Sequence, residues 1–137
     1  MLIKTFQVGH IETNCYIVTD EDTLECAVID PGDESNTIVG YLEENKLKCR
    51  YIFITHGHFD HTMAAKQVSE QTGAPVCIHR LDATLGETGQ GAFQFVPDDE
   101  TIFYKEGDSF NVGSLAFKVM ETPGHSPGGV TDRKSVV

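Results

Sequence analysis

The sequence contains no tryptophan and few basic residues: Lys and Arg together number 10, against 21 Asp and Glu, and the net charge is −11. Such an excess of negative charge repels a phosphate backbone, so we expect no nucleic-acid partner. No apolar run approaches the roughly 18–20 residues that a membrane-spanning helix needs. Residues 1–6 also lack the extended apolar stretch of a signal peptide. We therefore expect a cytoplasmic protein without a membrane partner.

Cysteine is scarce and scattered. The four cysteines, Cys15, Cys26, Cys49 and Cys77, form no Cys-x-x-Cys pair, which gives little support to a cysteine zinc site or a redox motif. Each lies in or beside an apolar stretch, where a thiol serves as a small core hydrophobe. We predict four reduced, buried thiols.

The chain has 137 residues, of which 39% are hydrophobic and 23% charged, enough for one domain with a core. Ser35 is placed to cap one helix, and Gly73 to end another at 62–72. The continuous apolar run at 51–54 is typical of a strand covered on both faces. Strands are also predicted at 2–8, 15–19, 26–29, 76–78, 102–104 and 115–120. This alternation of strands and helices predicts an α/β (α+β) fold.

The strongest functional signal follows the run at 51–54, where four groups able to bind a metal stand close together: His56, His58, Asp60 and His61. In an extended loop, His56 and His58 project to the same side and can hold one ion. Asp60 and His61 follow at the start of the next predicted helix, close enough to address a second ion. Open α/β sheets place their ligands in such strand-to-helix loops.

His125 is the predicted third ligand of the first ion. It lies in a Pro-Gly-His-Ser-Pro sequence after the predicted strand at 115–120. A catalytic zinc takes three protein ligands and keeps one position for water. Two alternatives are a solvated His-rich loop and a purely structural zinc, although structural sites favour Cys and close their coordination shell.

Three other polar residues have less specific surroundings. His10 and His79 have no ligand-type neighbours, which favours surface or hydrogen-bonded structural histidines. Asp30 ends an apolar strand ahead of Pro31 and Gly32, and the local sequence favours an ordinary turn residue. The alternative is that Asp30 accepts a hydrogen bond that orients a ligand loop.

Two stretches of the chain resemble the metallo-β-lactamase superfamily, and within it the glyoxalase II-like (hydroxyacylglutathione hydrolase-like) hydrolases. The His-x-His-x-Asp-His motif of the family is matched at 56–61, and its Pro-Gly-His-[Ser/Thr]-Pro-Gly stretch at 123–128. Asn-Cys-Tyr at 14–16 and Asp-Pro-Gly at 30–32 also look like early landmarks of this branch. The resemblance covers about residues 1–130.

The resemblance implies an αββα sandwich with a dinuclear metal site, usually zinc. It implies that His56, His58 and His125 hold the first metal, and that Asp60 and His61 hold the second. Asp60 would also be catalytic, by orienting a metal-bound hydroxide that hydrolyses the substrate. The implied partner is a small acyl or thioester substrate such as an acyl-glutathione.

The sequence departs from the family pattern after His125. The family has a bridging Asp and a further His there, whereas residues 126–137 contain only Asp132 and no histidine. We therefore expect a sandwich truncated at the C-terminus, with one metal retained by three histidines and an incomplete second site.

The C-terminal residues are polar where an apolar strand is expected. One codon choice for residues 132–137 spells a common sequencing-library adapter. We therefore predict a domain at 1–130 followed by a non-native tail at 131–137, with a genuine short paralogue as the alternative.

Functions from two classes follow from these patterns. The first is a metal-dependent hydrolase that acts on thioesters in its intact form. The second is a non-catalytic metal-binding or partner-binding fragment. Among enzymes, an iron-dependent persulfide dioxygenase of the same fold is a further alternative, with Fe in place of Zn²⁺. The sequence indicates neither the metal nor the oligomeric state.

Overall fold

The computed structural model of the chain describes residues 2–8, 13–32, 34–55, 64–79, 101–105, 107–121 and 130–136. Within these residues the chain forms a six-stranded sheet, a three-stranded sheet and two helices. One core cluster lies between the helices and the larger sheet, and a second lies between the two sheets. The fold is therefore mixed α/β, as predicted, with helices, sheet and sheet as successive layers.

The larger sheet has the strand order β1-β2-β3-β4-β5-β6. Its strands are β1 (Leu2–Val8), β2 (Thr13–Asp20), β3 (Glu25–Ile29), β4 (Lys48–Phe53), β5 (Val76–His79) and β6 (Ile102–Tyr104). The smaller sheet contains β7 (Ser109–Val112), β8 (Leu115–Glu121) and β9 (Val130–Val136), and the helices are α1 (Ser35–Glu44) and α2 (Ala65–Thr72). The first three strands pair antiparallel, whereas β3 to β6 pair parallel.

Strand β4 is buried on both faces, which confirms the interpretation of the apolar run at 51–54. Ile52 and Ile54 pack on the helix side, and Phe53 packs between the sheets. The strand carries a bulge near its start: Cys26 faces Cys49, but the next residue of β3, Ala27, faces Tyr51. Arg50 is the extra residue, and its guanidinium lies 3.3 Å from the carboxylate of Glu25.

Both helices bury one face against the larger sheet. In α1 the buried residues are Ile38, Val39 and Leu42. The expectation that Ser35 caps this helix is wrong: Ser35 is its first residue, and Glu34 precedes it with φ of 56° and no side-chain cap. Gly73 does end α2, as predicted, because it adopts φ of 76° and donates its N–H to the carbonyl of Ser69.

Aromatic side chains fill the space between the two sheets. Phe53 of the larger sheet contacts Phe110 and Phe117 of the smaller one, with ring centroids 5.2 and 5.4 Å apart. Tyr51 adds a further contact to Phe110 at 5.2 Å. Such rings supply much of the buried apolar area that holds two sheets together.

Asp20 links the ends of the two sheets. Its carboxylate accepts hydrogen bonds from the backbone N–H and the hydroxyl of Ser114, at 2.7 and 2.9 Å. These bonds, the backbone one first, lower the pKa of Asp20 to about 2. Gly113 precedes Ser114 with φ of 58°, and a Cβ there would overlap the Asp20 carboxylate and the Thr23 hydroxyl. Glycine is therefore required at this turn on two separate grounds.

The four cysteines are free and buried, as predicted. Burial, with a smaller contribution from the nearby Asp30 carboxylate, raises the pKa of the Cys15 thiol. A hydrogen bond with Cys49, together with burial, raises the pKa of Cys26. Thiols in such surroundings stay protonated and unreactive.

Two strands were not expected from the sequence. Strand β7 lies where only a turn-rich connection was predicted, and β9 includes residues 131–136 of the predicted non-native tail. Strand β9 pairs antiparallel with β8. Backbone pairing does not distinguish native from foreign sequence, so the boundary at residue 130 stays a prediction. Among the described residues, no helix has both the length and the apolar character needed to cross a membrane.

Candidate metal centre

Parallel pairing places the C-terminal ends of four strands along one edge of the larger sheet, which we call the carboxyl edge. It is formed by the ends of β3, β4, β5 and β6 at Ile29, Phe53, His79 and Tyr104. The candidate ligand sequence starts directly after this edge, because Ile54 and Thr55 connect β4 to His56. Ligand sites of open α/β sheets lie at this kind of edge.

Asp30 binds the residue that precedes the His-rich sequence. It is 5% exposed and has φ of 55°, a left-handed conformation that Asp tolerates better than most residues. Its Oδ1 accepts the backbone N–H of Thr55 at 2.8 Å, and its Oδ2 accepts the Thr55 hydroxyl. Asp30 does lie in a turn, since its carbonyl accepts the N–H of Gly32 at 2.8 Å, but its carboxylate also binds Thr55. The alternative interpretation, that Asp30 orients a ligand loop, stays a prediction, because residues 56–63 lie outside the described residues.

The same turn also holds the chain beyond the His-rich sequence. The carbonyl of Pro31 accepts the N–H of Ala64 at 3.0 Å, just before α2 begins. Thr55 and Ala64 flank segment 56–63, so both ends of that segment are tied to residues 30–31. This arrangement fixes where the segment leaves the sheet and where it enters the helix.

The chain segment that contains His125 departs from the same edge. Strand β8 begins beside Ser114, which binds Asp20 at the opposite end of the sheets. Its other end lies near the turn after β6, because the N–H of Gly107 donates to the carbonyl of Val119 at 3.0 Å. Segment 122–129 therefore starts near the end of β6, on the side of the sheets where segment 56–63 also starts.

The five predicted metal ligands lie outside the described residues: His56, His58, Asp60, His61 and His125. His10 lies outside them as well. His79 is described and half-buried at the end of β5. Among the described residues there is no group of three or more His, Cys, Asp or Glu side chains that could hold a metal. The structure thus describes the residues that precede segments 56–63 and 122–129, and the assignment of metal ligands within those segments stays a prediction.

Sequence reasoning missed one contact at the carboxyl edge. The hydroxyl of Tyr104 donates to the carbonyl of Ile54. Fifty positions separate the two residues, and a tyrosine at the end of a short apolar strand carries no signal of such a contact. For Asp30, by contrast, the Asp-Pro-Gly turn after a buried strand was the available signal.

Comparison with known proteins places the chain in a family. Residues 8–133 match the family model of the metallo-beta-lactamase superfamily. A probable metallo-hydrolase, YqgX of Bacillus subtilis, is 36% identical over 93% of this chain and 63% of its own length. Hydroxyacylglutathione hydrolase GloC of Haemophilus influenzae is 30% identical over 93% of this chain and 64% of its own length. This chain belongs to the metallo-beta-lactamase superfamily.

Solved structures agree with this assignment. ETHE1 from Myxococcus xanthus superposes with a TM-score of 0.79 at 25% identity, covering 98% of this chain and 54% of that one. TTHA1623, solved in a di-iron-bound form, superposes with a TM-score of 0.75 at 28% identity, covering 95% of this chain and 66% of that one. The chain thus spans less than two thirds of the length of these relatives.

Proposed function

We propose that this chain carries the metal-binding part of a metal-dependent hydrolase that acts on thioesters such as an acyl-glutathione. The observation that carries the proposal is the turn at residues 30–31, which holds Thr55 and Ala64 on either side of the His-x-His-x-Asp-His sequence. Membership of the metallo-beta-lactamase superfamily supports a metallo-hydrolase. The similarity to a hydroxyacylglutathione hydrolase supports the thioester substrate.

The chemistry of the donor set fits zinc or iron. Imidazole and carboxylate groups are ligands that both metals accept. In the proposal His56, His58 and His125 hold one metal, and Asp60 and His61 contribute to a second. A metal held there would supply a water of lowered pKa and would stabilise negative charge on the substrate carbonyl oxygen.

In this proposal, the described residues orient the chain that leads into the metal ligands. The Asp30 carboxylate accepts two hydrogen bonds from Thr55, which anchors the chain one residue before His56. Hydrogen bonds to a carboxylate are stronger than neutral ones, so this anchor resists displacement. Ligand groups held in one arrangement bind metal more tightly than groups on a loose loop, since less ordering remains to be done on binding.

Metal content and thioester turnover test the proposal together. The purified chain is loaded with Zn²⁺ or Fe²⁺, desalted and analysed by elemental mass spectrometry, and hydrolysis of an acyl-glutathione is followed by loss of thioester absorbance. We expect at least one equivalent of metal, lost in His58→Ala and kept in the matched control His79→Ala. Absence of bound metal in the unmutated chain, or equal metal in His58→Ala, would refute the proposal.

The same measurements separate the alternatives. Metal bound without thioester turnover supports a non-catalytic metal-binding fragment. The di-iron form of TTHA1623 favours iron as the alternative metal. The similarity to ETHE1 supports the iron-dependent persulfide dioxygenase as the second candidate. Iron retained in preference to zinc, with oxygen consumed when a persulfide is added, would select that candidate.

A further inference from the structure

Tyr104 is one of the largest fully buried side chains of the chain segments that the structure describes. It is 2% exposed at the end of β6, within the cluster between the two sheets. Its ring contacts Phe110 edge-on, with centroids 6.4 Å apart. Its hydroxyl donates to the carbonyl of Ile54, which follows β4, a strand two places away in the sheet. The ring is therefore fixed by packing while the hydroxyl points at the chain that leaves β4.

The acceptor is part of an unusually well-held peptide group. The carbonyl of Ile54 and the N–H of Thr55 belong to the same peptide unit. Tyr104 binds that carbonyl, and the Asp30 carboxylate binds that N–H at 2.8 Å. The N–H of Ile54 donates to the carbonyl of Cys77 on β5 at 2.9 Å. Since two side chains from different parts of the sheet hold opposite ends of one planar unit, its rotation about the chain axis is blocked.

We infer that Tyr104 is a positioning residue for the candidate metal centre, which acts by fixing the Ile54–Thr55 peptide plane immediately before His56. The inference rests on the proposed function for the centre itself. The direction of the chain at His56 depends on this plane, because the dihedral angles of Thr55 are measured from it. Groups that orient metal ligands without touching the metal typically change metal affinity by about 10–100-fold when removed. Tyr104 acts through the backbone, so we expect the lower end of that range.

Tyr104→Phe isolates the hydroxyl, because the ring and its packing remain. The matched control is Tyr51→Phe, which removes a phenolic hydroxyl from the same cluster, where Tyr51 contacts Phe110 at 5.2 Å. The affinity of each form of the 137-residue chain for Zn²⁺ is measured by competition with a chromophoric chelator. The visible absorption spectrum of the Co²⁺-loaded chain reports ligand geometry. All forms are compared at a temperature at which circular dichroism shows them folded without metal.

We expect Tyr104→Phe to weaken Zn²⁺ binding about tenfold and to shift the Co²⁺ spectrum. Tyr51→Phe should stay within about twofold of the unmutated chain. Replacement of Tyr104 by 4-aminophenylalanine, which keeps a hydrogen-bond donor at the ring end, should restore most of the affinity. A role in folding alone would lower the melting temperature and leave both the affinity and the spectrum unchanged.

The outcomes distinguish this inference from the proposed function. If the unmutated chain binds no metal, the proposed function fails and the inference fails with it. If the unmutated chain binds metal and Tyr104→Phe matches it in affinity and spectrum, the inference is overturned while the proposed function stands. The inference is also overturned if the 4-aminophenylalanine form binds Zn²⁺ as weakly as Tyr104→Phe does. In that case the hydrogen-bond donor at the end of the ring does not determine the metal affinity.

Discussion

Replacing Asp30 by alanine is expected to weaken the fold and the candidate metal centre together. The change removes two hydrogen bonds from a carboxylate that is 5% exposed. Each hydrogen bond to a charged group contributes about 1.5–3 kcal/mol, and part of the loss is recovered because water can reach half-buried Thr55. The left-handed φ of 55° adds about 1 kcal/mol, since alanine tolerates it less well than Asp. We therefore expect a loss of about 3–4 kcal/mol in the free energy of unfolding.

Urea unfolding followed by circular dichroism measures this loss directly. Asp30→Asn is the informative companion, because asparagine accepts the left-handed backbone and can still accept the Thr55 N–H. We expect it to lose only about 1 kcal/mol. Thr55→Val removes the hydroxyl and leaves the N–H, and a double-mutant cycle with Asp30→Ala isolates the coupling between the two side chains.

The control is Asp22→Ala, in which an exposed carboxylate is removed. It should change stability by less than about 0.5 kcal/mol. If Asp30→Ala costs no more than Asp22→Ala, the Asp30–Thr55 contact does not stabilise the loop and the reasoning for the centre is wrong. The same follows if the double-mutant cycle shows no coupling.

Three further predictions concern the rest of the fold. The Ser114 hydrogen bonds hold the native pKa of Asp20 at about 2, below its unfolded value of about 3.9. Their stabilisation of the folded chain is therefore complete above about pH 4 and is lost as the pH falls towards 2. The gap in melting temperature between the unmutated chain and Asp20→Asn should therefore narrow between pH 5 and pH 2, and a constant gap would contradict this. Gly113→Ala should lower the free energy of unfolding by about 2–3 kcal/mol, whereas Gly40→Ala, with open space around its Cβ in α1, should raise it by about 0.5–1 kcal/mol. The thiols should resist iodoacetamide at pH 8 in the folded chain and react after unfolding in urea, as counted by mass spectrometry.

The elements predicted best from sequence are those whose local signal agrees with their packing. The apolar run of β4 and the glycine after α2 are examples, because each reflects a single requirement, burial on both faces or a left-handed turn. Strand β7 was missed since its alternating sequence, Ser-Phe-Asn-Val, is only four residues long and stands between turn-forming residues. Its partner β8 begins after only two turn residues, at 113–114, so the hairpin signal was local and was overlooked.

The candidate metal centre likewise combines a motif that is recognisable from local sequence with contacts that are not. The motif at 56–61 predicts metal-ligand chemistry from residue types and spacing alone. The residues that bind Ile54 and Thr55, just before this motif, are distant from it in sequence. Asp30 lies 25 positions before Thr55, and Tyr104 lies 50 positions after Ile54. Their roles arise from the parallel strand order, which brings distant strand ends to one edge.

The bulge in β4 makes the length of that strand adjustable at one position. Side chains alternate between the two faces of a strand, so deleting one residue normally moves every later side chain of the strand to the opposite face. In β4 the alternation is already interrupted at Arg50: Cys49 packs on the helix side and Tyr51 packs between the sheets. Deleting Arg50 would therefore restore regular alternation and leave Phe53 on its present side and Thr55 in phase with Asp30. Deleting Tyr51 would keep the same phase but would carry the guanidinium of Arg50 into the apolar space between the sheets.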